Sequence, residues 1–137
     1  MRFKLNLLLT ATLCLFAFTN CTIDKRELII DKSVENESKI QNRPIGEGLV
    51  SKGAIKLNSK TICYLSEVTK NTAYFTEASD LEKMNMQNES LLLLQNSVGM
   101  KPLFDVEATI VFRYLDVEGN TLLEFSFTPD QYKLNRD

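Results

Sequence analysis

Residues 104–130 read FDVEATIVFRYLDVEGNTLLEFSFTPD. In the first eleven, Phe104, Val106, Ala108, Ile110, Phe112 and Tyr114 alternate with Asp105, Glu107, Thr109, Val111 and Arg113. Side chains of a strand point to opposite faces with period two, so this pattern predicts a strand with one face on a core. The connection LDVEGN ends in Gly119-Asn120, residues that tolerate positive φ and suit a hairpin loop. TLLEFSFT returns with Leu123, Phe125 and Phe127 opposite Glu124 and Ser126, and Pro129 stops it. The stretch predicts a β-hairpin, and the hairpin sets the class as mainly β.

Upstream, GLVSKGAIKLN (48–58) and KTICYLSEV (60–68) are apolar and β-branched runs around a tight turn at Asn58 and Ser59. NTAYFTEA (71–78) reads as a further strand, paired with KTICYLSEV. SDLEKMNMQNES (79–90) has Ser79 three residues before Glu82, the spacing of a helix-starting capping box, and leaves room for one short helix. LLLLQ (91–95) is a continuous apolar run and reads as a strand buried on both faces. Six or seven short strands with regular turns predict a β-sandwich. The stretch 91–124, with Asn96, Asp116 and Gly119, is similar to bacterial immunoglobulin-like lipoprotein domains. That likeness implies a small immunoglobulin-like β-sandwich over 47–137 and implies nothing about activity.

A chain of 137 residues has room for one domain. Its formal charge is -2, which argues against phosphate-neutralising nucleic-acid binding. Histidine is absent, which removes the commonest general base and metal ligand together. Tryptophan is absent too, which weakens any carbohydrate-stacking site.

The N-terminus carries a different signal. Arg2 and Lys4 precede a mostly apolar run from Leu5 to Phe18, shorter than the roughly 20 residues a membrane-spanning helix needs. A basic start, an apolar middle and a polar exit form the pattern of a secretory signal peptide, here over 1–20. FTNC (18–21) resembles a bacterial lipobox, with Phe18 and Asn20 departing from the standard residues in the manner of spirochaete lipoproteins. The resemblance implies that Cys21 is the lipid attachment site, the first mature residue and an anchor to the outer membrane. Loss of the signal removes Cys14 and two basic residues, leaving Cys21 and Cys63 and 14 basic against 18 acidic side chains. With Cys21 acylated, Cys63 has no partner within the chain and reads as a small buried side chain on a strand. Residues 21–46 are dense in Lys, Glu, Asp and Asn, a composition expected of a flexible polar tether. ELII (27–30) is its one apolar cluster and could pair as an edge strand.

The chemistry-bearing candidates are weak. Asp116, Glu118 and Asn120 alternate as in a calcium loop, but the glutamate that closes such a loop is replaced by Phe125. Asp105 with Glu107, or Glu35 with Glu37, are carboxylate pairs lacking an aromatic cleft. Met84, Met86 and Met100 offer a candidate adaptable apolar surface. No nucleotide-binding or nucleophile motif is present, so no cofactor and no enzymatic activity are expected. The expectation is an envelope lipoprotein with a binding or structural role and an unidentified protein partner. The alternative is a secreted or periplasmic inhibitor or immunity protein that binds a target enzyme.

Overall fold

The computed structural model describes residues 24–133. The expected signal peptide and Cys21 lie outside the described residues. In chain order the elements are α1 (Lys25–Ser38), β1 (Pro44–Gly46), β2 (Leu49–Asn58) and β3 (Thr61–Val68). Next come α2 (Ala73–Thr76), α3 (Asp80–Asn96), a 3-10 turn (Val98–Met100) and α4 (Lys101–Asp105). The chain continues through β4 (Thr109–Leu115), β5 (Thr121–Phe127) and α5 (Pro129–Lys133).

The five strands form one sheet in the order β1-β2-β3-β4-β5. All neighbours are antiparallel except β3 and β4, which run parallel from Thr61↔Thr109 to Glu67↔Leu115. A parallel pair needs a long crossover, and α2, α3 and α4 all lie within it. Cross-strand pairs Ile62↔Ile110, Tyr64↔Phe112, Ile110↔Phe127 and Phe112↔Phe125 put the large apolar side chains on one face. Onto that face the helices deliver Ile30 of α1, Met86 and Leu94 of α3, Leu103 and Phe104 of α4, and Tyr132 of α5. Tyr132 is fully buried, and its hydroxyl donates to the Ala108 carbonyl at 2.8 Å. On the opposite face the Arg113 guanidinium meets Glu124 at 2.6 Å across the β4–β5 pair. Cys63, also on that face, is buried and free, and burial pushes its thiol up.

Two of the three expected hairpins are present: β2–β3 turns at Ser59 and Lys60, one residue later than the expected Asn58-Ser59 turn, and β4–β5 turns at Asp116–Asn120, whereas the expected pairing of NTAYFTEA with KTICYLSEV is absent. The immunoglobulin-like sandwich is corrected to a single mixed sheet covered by helices. Two segments expected as strands are helical, so no second sheet can form. LLLLQ is the C-terminal part of α3, and NTAYFTEA contains α2. The capping box is real: the Ser79 hydroxyl accepts from the Glu82 N–H, and Glu82 accepts from the Ser79 N–H at 2.7 Å. The helix it starts is 17 residues long. β4 begins later than its alternation implies, because residues 101–105 are helical and Glu107 takes a positive φ of 56° before the strand.

The segment expected as a tether also differs. Asp24 caps α1 by accepting from the Arg26 N–H at 2.9 Å, and the acidic Glu27 in the first turn suits the positive end of the helix dipole. Ile29, Ile30 and Val34 face the sheet at helical spacing, and Ile30 is fully buried. Lys56 of β2 reaches Glu27 at 2.9 Å and Asp31 at 2.7 Å, tying the outer side of α1 to the sheet. Arg26 donates to the Val106 carbonyl at 2.6 Å.

Candidate functional site

Residues at the end of α1 and in α3 border a gap over β3 and β4. Its floor is aromatic. Tyr64 and Phe112 are cross-strand neighbours with ring centroids 5.8 Å apart, and Tyr114 follows two residues along β4. Phe75 of α2 packs on Tyr114, with ring centroids 5.0 Å apart. The walls are Glu37 and Ile40 at the end of α1, Ile45 of β1, Ser90 and Leu93 of α3, and Met100. Together they enclose a groove of about 300 Å³, open to solvent and lined mainly by apolar atoms. Leu93 stands 75% exposed at its lip, with Ile40 and Ile45 exposed opposite.

Polar groups are few. Burial pushes the Tyr64 hydroxyl well above the ordinary tyrosine range, and the nearby Glu37 carboxylate adds to the effect. Burial raises Tyr114 as well, while a hydrogen bond with Ser90 pulls it partly back. Both phenols are therefore neutral at physiological pH. Glu37 is raised from 4.5 by burial alone, with no cation beside it among the described residues. An apolar trough with two phenols and one unpaired carboxylate suits an apolar segment that brings its own hydrogen-bond donor or cation.

The other candidates separate. Glu35 pairs with Lys39 at 2.9 Å on the solvent side of α1, so only Glu37 of that couple faces the groove. Asp105 pairs with Lys101 at 2.8 Å and Glu107 with Lys133, so neither couple makes an acid and a base around a cleft. Asp116 accepts from the Glu118 and Asn120 N–H groups at 2.9 and 2.8 Å, which makes it the organiser of the hairpin turn. The Asn120 side-chain amide, donating to Asp116 at 2.9 Å, and then these backbone bonds hold its carboxyl below the usual range. Among the described residues no group of three or more acids and cysteines could hold a metal ion. Met86 is core, Met84 is exposed, and only Met100 reaches the groove. The alternation puts Phe112 and Tyr114 on the core face of their strand, but it assigns Tyr64 no inward face and gives no sign that part of that surface stays uncovered. The sequence names Glu37 only as half of a carboxylate pair and reads Leu93 as part of a buried strand, and neither reading points to the groove.

No protein-family model matches the chain, and no curated protein matches it in sequence. Solved structures do share its fold. A proposed secreted protein from Pseudomonas aeruginosa superposes with a TM-score of 0.66 at 11% identity, over 79% of this chain and 96% of its own. EpsS, a pilotin of the Vibrio vulnificus type 2 secretion system, gives 0.55 at 9% identity, over 79% and 94%. AspS, a type II secretion system pilotin from Vibrio cholerae, gives 0.55 at 14% identity, over 78% and 94%. At these identities the likeness is one of fold.

Proposed function

We propose that this chain is a lipoprotein of the bacterial envelope, held in the outer membrane through Cys21, whose domain binds a protein partner without catalysing a reaction. The observation that carries the binding role is the groove over Tyr64, Phe112 and Tyr114, with Leu93 projecting beside it. Apolar side chains held open to water above an aromatic floor gain free energy when a complementary apolar segment covers them. The sharing of a fold with two secretion-system pilotins and a proposed secreted protein supports an envelope setting. The lipobox-like FTNC supports the anchor.

The test uses the full-length protein in cells, with a photo-crosslinking residue at position 93 or, as control, at 117. Palmitate labelling is run beside Cys21→Ser. The expected result is label and membrane fractionation that vanish in the serine variant, with one discrete adduct from position 93 and none from 117. Absence of label from a soluble, processed protein would move the reading to a secreted or periplasmic inhibitor. Equal adducts at both positions would remove the groove from the proposal.

A further inference from the structure

The start of α1 fixes how far the folded domain can stand from its anchor. Four Cα–Cα steps separate Cys21 from Lys25, a reach of at most about 14 Å whatever path the chain takes. A coil of 25 residues would instead place its ends about 28 Å apart on average, with far greater extension open to it. The end of the molecule at which α1 begins is therefore kept close to whatever holds Cys21.

That end has a recognisable surface. Lys25 and Ile29 of α1, Val98, and Lys101, Pro102, Asp105 and Val106 line one shallow, mainly apolar concavity, in which Asp105 is paired with Lys101 at 2.8 Å. Val98 is 87% exposed at its margin. The β2–β3 turn lies at the same end, since the Thr109 N–H that opens β4 donates to the Lys60 carbonyl. Lys25 and Lys60 have no carboxylate partner among the described residues. The opposite end, where β3 and β4 finish and α3 starts, has a different charge. There Glu47, Glu77, Asp80, Glu82, Asp116 and Glu118 gather against Lys70 and Lys83. The two ends are separated by the length of α3, 17 residues or about 25 Å.

We infer that the α1-start end, with exposed Val98 and with Lys25 and Lys60 at the same end, rests on the anionic lipid surface that holds the acylated Cys21. The inference rests on the lipid-anchor reading and adds an orientation to it. An anionic surface attracts nearby lysines and repels the acidic end, so the short connection and the charge distribution select the same face. Val98 then sits among headgroups, as an apolar side chain does when a flanking cation snorkels beside it.

The experiment uses the lipidated full-length chain in vesicles of phosphatidylethanolamine and phosphatidylglycerol, part of the lipid carrying a headgroup nitroxide. Val98→Cys or Val117→Cys carries a fluorophore; buried Cys63 stays unlabelled in the native protein. The expected result is that the position-98 label loses most of its intensity while the label at 117, in the distal hairpin turn, keeps its own. A ten-residue Gly-Ser insertion between Ile23 and Asp24 is expected to restore much of the lost signal. Vesicle-bound protein with equal quenching at both positions overturns the orientation and leaves the anchor standing. Protein that stays out of the vesicle fraction overturns both.

Discussion

Two single positions show how local geometry decides energetics here. Gly53 has a φ of +87°, and a Cβ there would lie 2.8 Å from Gln41 Nε2. The side-chain clash can relax, because the Gln41 end is mobile in principle; the backbone conformation cannot. Gly53→Ala is therefore expected to lose about 1–2 kcal/mol in urea unfolding, and adding Gln41→Ala is expected to return little of it. Full recovery in the double variant would assign the cost to the clash instead. Glu37 gives a pH signature. Its folded pKa is raised above 4.5 by burial, so folding favours the neutral carboxyl. The penalty is absent well below 4.5, where both states are protonated, and grows as pH rises through the folded value. Glu37→Gln is expected to stabilise the domain at pH 7 and to leave it nearly unchanged at pH 3.5. Stability curves that stay parallel across this range would show that burial does not act on Glu37.

At the level of elements, α1 is where composition and structure part most clearly. Its many charges suggest a solvated tether, yet Ile29, Ile30 and Val34 form one inward stripe, with Ile30 fully buried, and Arg26 and Lys56 tie the helix to the rest of the domain. Ile30→Ala is expected to destabilise the domain by about 2–4 kcal/mol, the cost of a core cavity. Native trypsin digestion is expected to spare Lys32 in the wild type; rapid cleavage there would return the segment to a tether. The hairpins were legible because sustained alternation marks a strand, although Phe104 and Asp105, which open the alternation leading into β4, are helical. LLLLQ was not. Leu92 and Leu93 point outward in α3 while Leu94 is buried, so four adjacent leucines erase the period that tells a helix from a buried strand. NTAYFTEA failed for a related reason: aromatic and β-branched residues favour strands on average, and packing of Phe75 on Tyr114 overrides the preference. The groove was half legible. Phe112 and Tyr114 of its floor follow from the inward alternation of β4, whereas Tyr64 and the opening depend on how β3, α1 and α3 pack, which no local pattern encodes.

Across the whole molecule, the β3–β4 ladder joins two parts of the chain that have little else in common. β1, β2 and β3 pair with their sequence neighbours, and so do β4 and β5, but all of residues 69–108 lie between β3 and β4. Each antiparallel unit closes over a short loop; the parallel seam closes over the entire crossover, with the larger entropy loss that such a loop carries. Assembly is thus expected to be hierarchical, with two small ribbons made early and their union waiting on the helices in between. Until that union, the inner edges of β3 and β4 present unpaired amides and carbonyls beside uncovered aromatic rings, a template for strand addition by another chain. A newly made chain of this fold would be most in need of a chaperone during that interval, and the surface to shield would be this one seam.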